Sequence, residues 1–554
     1  MEFLGILFDT RSIQRYIFSG NRLKTNIGAS CLVDRVFDDV LVKALQDVYG
    51  TGEVDAATWR EVEAPDWEAQ ETACRIGFFG GGKALVLVKR SGDEENDQAQ
   101  ARAVVTQFTK ALLTKAPGLR TGAAIGRLRL AADGTMARDG NEDDADDYAV
   151  LVRMLKEQQN TIAPVVTLPY TGLTLCCPEN DGTAAAWDAE DQRFYSWEVE
   201  MKLRADRRRL GQTALAEDEL LEKLRSVLPE EERETFLAGY AFPQEFEKLG
   251  QRETENDIAI VHIDGNNMGR QFQDCKTLTE YKNLSLRVRQ TTITAFAALT
   301  KELVQKRETG RDSYLDTCHQ NEDGDSLLPI RPIVLGGDDM TFVCAAKIAL
   351  RSADTIMQHM KADGINTCAG IAILKTAYPF FRGYQMAEQL CGAAKKKMRN
   401  LPAGDPRACW LDFAILHGEQ APTLEELRAQ EYGTTMGPDY RLHFGPYCVD
   451  ATEDDPHALA NLFRGIEEMR TSLPTNKAKE LRSVLAHGRH AQTQFHAQLA
   501  YLEVRRGRTH APARLPQLPA WKAYAASFWD EEHRTPYVDA IELMDDVPEE
   551  AENA

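Results

Sequence analysis

Long apolar runs are missing from this chain. No stretch of it reaches the about 18–20 uninterrupted apolar residues that a membrane-spanning helix needs. The N-terminal apolar run from Phe3 to Phe8 is broken by Asp9 and Arg11, so the sequence predicts no signal peptide. We therefore expect a cytoplasmic protein that does not enter a membrane.

Paired cysteines are missing as well. The chain has 11 Cys but no Cys-x-x-Cys spacing, and only Cys176 and Cys177 are neighbours. The remaining cysteines are scattered through apolar segments, which is typical of buried, reduced thiols in a cytoplasmic protein. The pattern argues against a disulfide scaffold.

Positive charge is scarce. The 65 Lys and Arg are outnumbered by 86 Asp and Glu, which gives a net charge of −21. Such a surface argues against non-specific coating of nucleic acid. Basic stretches at 202–209 and 464–489 leave room for local RNA contacts.

With 554 residues, 43% of them hydrophobic and 27% charged, the chain is expected to form three or four globular domains.

Acidic residues stand at the ends of two apolar, strand-like segments. In 333–343, two such runs flank a Gly-Gly-Asp-Asp tip that carries Asp338 and Asp339, and the apolar run 258–263 ends at Asp264. Three carboxylates brought together would suit two Mg²⁺ or Mn²⁺ ions that hold nucleotide phosphates. The pattern predicts a nucleotidyl-transfer site with these three residues as metal ligands and catalytic residues. The glycines of the same motifs are predicted to contact the nucleotide: Gly265, Gly336 and Gly337.

The simpler alternative is an exposed turn, since Gly and Asp are common turn residues. The geometry also restricts the metal hypothesis. Successive residues of a regular strand face opposite sides, so Asp338 and Asp339 share one ion only if the turn twists the backbone. One of them would otherwise bind the second ion or a water molecule.

The chain contains an internal repeat. Asp9 follows an apolar strand as Asp264 does, and Gly80 follows it by 71 residues, against 72 from Asp264 to Gly336. Each predicted hairpin precedes a helical segment (98–114; 347–361) and another strand (121–130; 366–374). Strand, helix, hairpin, helix, strand is a ferredoxin-like order.

The first copy of the repeat has lost the acids of its hairpin. Gly82 stands where Asp338 stands, and Lys83 where Asp339 stands. This hairpin cannot assemble the same metal pair, but the backbone N–H groups of Gly81 and Gly82 can approach phosphate. For Asp9 two interpretations stay open, an indirect nucleotide contact and a turn cap.

The fold class that follows is α+β, with two ferredoxin-like palm (nucleotidyl cyclase-like) domains and helical inter-palm and C-terminal modules. The helical segments are predicted over about 197–248, 457–470 and 475–503. The predicted domains are a degenerate first palm (1–135), an acidic linker with a helical inter-palm domain (136–255), a catalytic second palm (256–420) and a helical C-terminal domain (421–554).

The two palms, the Gly-Gly-Asp-Asp tip and the Asp-Gly-x-Asn-Met-Gly element at 264–269 resemble the large signature subunit of type III CRISPR effector complexes. That family has a polymerase/cyclase-like fold and makes cyclic oligoadenylates when target RNA binds. The resemblance implies ATP as substrate, a palm–palm pseudo-dimer within the chain, and guide-RNA ribonucleoprotein subunits and target RNA as partners.

Three departures mark the chain as a short relative. Asn266 replaces the second Asp of the family's usual Asp-Gly-Asp-Asn element. The chain contains no His-Asp dipeptide, which many members carry in an N-terminal nuclease domain. Cys176 and Cys177 cannot supply the four-cysteine zinc element that is common between the palms.

A basic segment ends the helix predicted from about residue 382. Lys395 leads the segment Lys-Lys-Lys-Met-Arg-Asn, which is similar to an ending that contacts phosphate in GGDEF-type cyclases. Lys395 is the preferred phosphate ligand, ahead of Lys396 and Lys397. The alternative is a solvated basic helix end, which the helix dipole favours.

Three histidines near the C-terminus suggest a second metal site less strongly. His487, His490 and His496 follow one another closely, but no carboxylate joins them at ligand spacing. A solvated helix face is the favoured interpretation.

The sequence thus predicts a metal-dependent enzyme that converts ATP into a cyclic or linear oligoadenylate second messenger for antiviral defence. One alternative is a cyclase that makes a cyclic dinucleotide from GTP. The other is a non-catalytic, nucleotide-binding scaffold subunit of an RNA-guided complex, which the loss of an acid at Asn266 favours.

Overall fold

The computed structural model describes most of the chain. It covers residues 1–61, 66–67, 69–138, 146–161, 172–206, 215–249, 256–310, 314–315, 319–402, 404–418, 422–506, 515–516, 518–522 and 524–548. Within these ranges, every helix is too short or too polar to cross a membrane.

The chain divides into two compact units. Unit 1 comprises Met1–Arg233, Asn267–Thr294 and Ile333–Asp338, and unit 2 comprises Glu234–Asn266, Ala295–Pro332 and Asp339–Ala554. The tip of the second hairpin, up to Asp338, is therefore grouped with unit 1, while Asp339 begins a segment of unit 2.

The N-terminal part of the chain forms one large and one small sheet with their helices. The strands are β1 (Glu2–Arg11), β2 (Val54–Asp55), β3 (Cys74–Gly80), β4 (Lys83–Lys89), β5 (Arg120–Arg129), β6 (Ala186–Asp188) and β7 (Arg193–Tyr195). The helices are α1 (Ile13–Ile17), α2 (Leu23–Arg35), α3 (Val42–Tyr49), α4 (Glu94–Lys115), α5 (Asp147–Thr161), α6 (Trp197–Asp206), α7 (Leu215–Ser226) and α8 (Glu230–Arg233). A π-helical stretch, Val36–Leu41, joins α2 to α3.

The first large sheet has the strand order β2-β3-β4-β1-β5. Helices pack on both faces of strand β1. On one face, the rings of Phe8 in β1 and Phe108 in α4 lie 5.0 Å apart. On the other face, Leu7 shares a buried cluster with Leu151 and Leu155 of α5. Alternation of side chains along β1 therefore sends apolar residues into two cores.

The C-terminal part contains the second large sheet and most of the remaining helices. The strands are β8 (Tyr240–Ala241), β9 (Asp257–Gly265), β10 (Ser326–Leu327), β11 (Ile330–Gly336), β12 (Asp339–Ala345), β13 (Thr367–Lys375), β14 (Trp410–Ile415) and β15 (Tyr447–Cys448). The helices are α9 (Met268–Asp274), α10 (Leu278–Glu308), α11 (Ala346–Ala362), α12 (Phe380–Arg399), α13 (Leu424–Glu431), α14 (Leu459–Ser472), α15 (Thr475–His487), α16 (Arg489–Arg506), α17 (Tyr524–Ser527) and α18 (Pro536–Leu543).

The second large sheet has the strand order β11-β12-β9-β13-β14-β15. Helix α12 lies unusually close to β13. A methyl group built on Gly370 would lie 1.9 Å from the Ala387 carbonyl oxygen and 2.4 Å from the Cys391 nitrogen. Only glycine fits at this crossing, and its absent side chain lets α12 approach the sheet.

The predicted repeat and fold class are confirmed. The orders β3-β4-β1-β5 and β11-β12-β9-β13 are the same arrangement of equivalent strands. Asp9 pairs with Lys83 across the first sheet as Asp264 pairs with Asp339 across the second. We call these two arrangements the first palm and the second palm.

The equivalence extends to an uncommon backbone conformation. Three residues after each strand-end Asp, a non-glycine residue has positive φ, 54° at Ser12 and 58° at Asn267. Each is the N-cap of a short helix, α1 or α9. Because positive φ is rare outside glycine, its recurrence at equivalent positions supports a common origin of the two palms.

Two predicted helical segments are interrupted. In its described part, the span 197–248 contains α-helices only up to α8, after which Tyr240–Ala241 pairs with β10 as a strand and Phe246–Lys248 forms a short 3-10 helix. Helix α8 ends at Arg233, and two residues with positive φ, Leu237 and Gly239, precede that strand. The span 475–503 is divided into α15 and α16 at Gly488, where φ is 96°.

A buried polar network fastens the outer strands of the second sheet to α18. His443 Nε2 lies 3.0 Å from Asp412 Oδ1 in β14, and Nδ1 lies 3.1 Å from Asp539 Oδ1 in α18. Tyr447 donates to Asp539 at 2.7 Å, and Arg428 pairs with Asp412. Burial lowers the pKa of His443, but the Asp539 and Asp412 carboxylates outweigh it and raise this pKa to about 9.

Candidate active site

Two carboxylates stand side by side at one edge of the second palm. Asp264 lies near the C-terminal end of β9 and Asp339 begins β12, and the antiparallel register places them directly opposite each other. Their side chains remain 35% and 26% exposed, so ions and nucleotides can reach them. Like charges on directly opposite residues destabilise a sheet, so this pair needs compensation from neighbouring groups.

The turn between β11 and β12 separates Asp338 from Asp339. Gly337 and Asp338 occupy its two central positions, and only Gly337 has positive φ, at 62°. One positive φ at the first central position is typical of a type II′ hairpin. A side chain built on Gly336 would meet nothing within 4 Å, so the backbone is open to approach there.

Lys395 compensates Asp264. Its ammonium pairs with Asp264 Oδ2 and lies 3.3 Å from the Gly265 carbonyl oxygen. Helix α12 holds the lysine in place because it packs tightly on β13 at Gly370. The structure therefore brings together the two predicted residues Lys395 and Asp264, which are far apart in sequence. The neighbouring Lys396 is exposed, and burial lowers the pKa of Lys397, whose ammonium lies 5.9 Å from the Trp410 ring.

A histidine that the sequence analysis missed lies beneath Asp339. His262 Nδ1 is 3.3 Å from Asp339 Oδ1 and 3.1 Å from Thr341 Oγ1. His262 precedes Asp264 by two residues and Thr341 follows Asp339 by two, so all four share one face of the sheet. The period of two around the acids was a usable signal, because it placed a polar residue inside each apolar run.

Two further side chains of α12 face the same region. The ring of Tyr384 meets that of His262 edge-on at 5.6 Å. Burial raises the pKa of Tyr384, and the negative charges of Asp339 and Asp264 add to this effect. Burial likewise raises the pKa of Cys391, so its thiol stays protonated and is no nucleophile.

The replaced acid at Asn266 has a structural role in this chain. Asn266 is 5% exposed, and its amide donates to the Ala408 carbonyl oxygen at 2.8 Å. Its backbone N–H donates to the Asn366 carbonyl at 2.8 Å. Asn266 therefore holds the end of β9 against the segment that leads into β14.

The predicted cluster of three acidic ligands is not formed as such. Across the described residues, no group of three or more His, Cys, Asp or Glu side chains is arranged to hold a metal ion. Lys395 instead pairs with Asp264, and His262 approaches Asp339. The remaining donor set still fits a hard cation, because two partly exposed carboxylates lie opposite each other beside the open backbone of Gly336.

The equivalent hairpin of the first palm is built differently. Gly81 and Gly82 have φ of 56° and 76°, the pattern of a type I′ turn. A side chain on Gly81 would meet nothing within 4 Å, whereas one on Gly82 would lie 2.6 Å from Ile13 Cδ1. Of the two predicted nucleotide contacts, only Gly81 has open space beside it.

Asp9 and Gly337, the latter at the tip of the second hairpin, each accept a hydrogen bond from a side chain of unit 1. Gln159 of α5 donates to Asp9 Oδ2 at 2.9 Å, so Asp9 accepts a side-chain bond rather than capping a turn. Thr292 donates to the Gly337 carbonyl at 2.7 Å. A methyl group on Gly337 would lie 3.9 Å from the Gly81 backbone, so the two glycine tips are neighbours.

The three histidines near the C-terminus do not converge. His487 and His490 are exposed on α15 and α16, as predicted for a solvated face. His496 is half-buried instead, with its ring 4.3 Å from that of Phe528, and burial lowers its pKa.

The cysteines of the described residues are all free thiols, and Cys176 is exposed rather than buried.

Known proteins share this architecture. Residues 257–403, which contain the carboxylate pair, match the family model described as Cas10/Cmr2, second palm domain. The chain is similar to Cas10/Cmr2 proteins. The predicted resemblance to the large type III CRISPR subunit is thereby confirmed, and the second palm is a Cas10/Cmr2-like palm. No curated protein matches the sequence significantly.

Two solved structures share the fold over almost the whole chain. A Csm1–Csm4 cassette in complex with cA3 matches with a TM-score of 0.52 and 13% identity, over 99% of this chain and 70% of that one. Csm1 of T. onnurineus matches with a TM-score of 0.51 and 14% identity, again over 99% and 70%. At such low identity these matches establish the fold.

Proposed function

We propose that the second palm is a nucleotidyltransferase that converts ATP into a cyclic or linear oligoadenylate signal in antiviral defence. The observation that carries the proposal is the Asp264–Asp339 pair, opposite each other at the edge of a Cas10/Cmr2-like palm. The Csm1–Csm4 cassette with a similar fold was solved in complex with cA3, which supports the same class of product here.

Asp264 and Asp339, with Asp338 in the adjoining turn, would hold two Mg²⁺ or Mn²⁺ ions. When bound, such ions lower the pKa of an attacking ribose hydroxyl and stabilise the leaving pyrophosphate. Carboxylate oxygens are the ligands that these ions prefer. The backbone of Gly336 is open to a triphosphate, and Gly265 and Gly337 are proposed as further nucleotide contacts.

Lys395 is proposed to change partners when the nucleotide binds. Its ammonium pairs with Asp264 in this structure and would turn to the triphosphate, as the resemblance to GGDEF-type cyclases implies. A lysine suits this role because it is a compact point charge on a flexible stem. The close packing of α12 on Gly370 keeps the stem within reach of Asp264.

The first palm is proposed to hold the other nucleotide. Lys83 in place of Asp339 removes one carboxylate, so this palm binds without catalysing. Gly81 is the better candidate for a phosphate contact, because Ile13 occupies the space beside Gly82. The palm–palm pseudo-dimer, the predicted domain boundaries and the cytoplasmic location remain predictions.

The partners are proposed by similarity alone. The similar cassette pairs Csm1 with Csm4, so we expect this chain to work beside protein subunits that carry a guide RNA and recognise target RNA. The net charge of −21 is compatible with RNA contacts made mainly through such subunits.

One experiment separates the proposal from its alternatives. The full chain is incubated with each NTP and Mn²⁺ or Mg²⁺, with and without candidate RNAs, and the products are identified by mass spectrometry. A cyclic or linear adenylate supports the proposal, and a guanylate dinucleotide would instead assign a GTP-using cyclase. Bound but unreacted nucleotide would assign a scaffold, an alternative that the Lys395–Asp264 pair favours because it occupies a metal ligand.

A further inference from the structure

The repeat supplies an internal control for the residues beneath the carboxylates. Leu7 and Leu85 form a cross-strand pair two residues from Asp9 and Lys83. The equivalent cross-strand pair in the second palm is His262 and Thr341. All four side chains are almost completely buried, with exposures of 0% for both leucines, 3% for His262 and 0% for Thr341.

Packing does not explain the polar pair. The first palm fills the same place in the same sheet with two leucines, which bury well and need no hydrogen-bond partner. Burying an imidazole and a hydroxyl costs free energy unless both are hydrogen-bonded. In the second palm, the buried imidazole and hydroxyl lie directly beside the carboxylate pair, which the first palm lacks.

The geometry connects the polar pair to one carboxylate. His262 Nδ1 lies within 3.3 Å of Asp339 Oδ1 and within 3.1 Å of Thr341 Oγ1. Gly370 is the cross-strand neighbour of His262 on its other side. The missing side chain there admits α12, whose Tyr384 ring packs edge-on against the imidazole.

We infer that His262, held by Thr341, is a positioning residue that orients the Asp339 carboxylate towards the cation and nucleotide. Nδ1 makes its hydrogen bond with Thr341, and this places the imidazole beside the buried Asp339 Oδ1, so that Oδ2 is left for a cation. Thr341 fixes the plane of the ring, and Tyr384 limits its rotation. The inference rests on the proposed function of the second palm.

The test transplants the pair of the first palm into the second. His262→Leu with Thr341→Leu copies the pair that occupies the equivalent position of the first sheet, so we expect the variant to fold with unchanged or higher thermal stability. Mn²⁺ binding is measured by electron paramagnetic resonance on the full chain with ATP. We expect the affinity for Mn²⁺ to fall about ten- to a hundredfold, as when a group that orients a metal ligand is lost.

A conservative variant provides rescue. In His262→Asn, the amide nitrogen is as many bonds from the backbone as Nδ1 is, so it keeps a polar N–H group beside Thr341 and Asp339. The affinity for Mn²⁺ should then stay much closer to that of the wild type than in the double-leucine variant. A purely structural role predicts the opposite order, because Asn leaves a cavity where two leucines fill it.

The outcomes separate this inference from the proposed function. Unchanged Mn²⁺ affinity in the double-leucine variant, with binding still lost in Asp339→Asn, would overturn the positioning role and leave the proposed function standing. Wild-type protein that binds no Mn²⁺ with any NTP would overturn both. Loss of binding in the double-leucine variant and retention in His262→Asn supports the inference.

Discussion

The two palms share a backbone and differ in the side chains at one edge. Asp9 faces Lys83 across the first sheet and accepts a bond from Gln159 of α5. Asp264 faces Asp339 across the second sheet and pairs with Lys395 of α12. Each helix follows the last strand of its palm and approaches the strand-end Asp.

The comparison shows that one backbone arrangement can be built with or without the paired carboxylates. The first palm replaces an acid with a base, a cation with a neutral amide, and a polar buried pair with two leucines. It keeps the strand order, the register and the positive φ that follows the strand-end Asp. The two palms therefore differ at a few residues of one sheet edge, and the proposed activity depends on those residues.

The largest effect is expected from removing the carboxylate pair. Asp264→Asn with Asp339→Asn should reduce oligoadenylate formation by about a hundredfold or more, because the phosphate-binding cations lose their ligands. The fold should be preserved, because the two substitutions only remove negative charge from a partly exposed edge of the sheet. Product formation is measured by mass spectrometry. Asp9→Asn is the matched variant in the first palm. An equal loss of oligoadenylate formation in this variant would contradict the proposal that only the second palm catalyses.

The buried network at His443 is expected to dominate the stability of the second sheet. His443→Ala leaves Asp412 and Asp539 buried without their shared partner and should cost about 3–5 kcal/mol in the free energy of unfolding. Denaturant unfolding measures the total, and hydrogen exchange reports which unit opens. Exchange that rises in β1 and β5 as much as in β14 would show that the effect is not confined to unit 2.

The same network gives a pH dependence. The pKa of His443 is raised to about 9 in the folded protein, above its ordinary value of 6.5. Its contribution to stability is therefore complete below pH 6.5 and is lost as the pH rises through about 9. Melting temperatures measured across this window should fall in the wild type. His443→Gln should remove the contribution of His443 to this fall in melting temperature with pH. A fall that is unchanged in the variant would show that other groups cause it.

A moderate effect is expected from Lys395→Gln, which copies the Gln159 of the first palm. The neutral amide can still bond to Asp264 but cannot attract a triphosphate. Product formation should fall about ten- to a hundredfold while the fold remains stable. Lys396→Gln, one residue away and exposed, is the control and should behave as the wild type. Equal losses in both variants would point to general charge rather than to the Asp264 contact.

The smallest effect concerns the two hairpin tips. Gly82 and Asp338 hold the same position, but only Gly82 has positive φ, and Ile13 lies beside it. Gly82→Ala should destabilise unit 1 by about 1–3 kcal/mol, whereas Asp338→Ala should change stability by less than about 0.5 kcal/mol. Thermal unfolding of both variants checks this, and equal shifts would mean that the turns are not of different type.

Much of the fold and part of the site could be predicted from the sequence. The apolar strands ending in Asp9 and Asp264 and the glycine-rich tips fixed the repeat, because strand periodicity and turn chemistry are local properties. The Lys395–Asp264 contact was harder, since it depends on how closely α12 packs at Gly370. His262 was not predicted because a polar residue within an apolar strand indicates a site only when it is considered together with Thr341, the polar residue of the neighbouring strand.

The interruptions of the predicted helices have a similar cause. Amphipathic spacing over 475–503 continues through Gly488, and only the backbone conformation reveals the break between α15 and α16. The sequence could not show that Lys395 would pair with Asp264, one member of the predicted three-acid cluster.

The presence of two palms on one polypeptide has a consequence for inheritance. In an assembly of identical chains, every substitution appears in each copy at once, so a loss in one half is a loss in both. Here a single codon alters a single palm. One half can therefore carry Lys83 and Leu85 while the other carries Asp339 and Thr341.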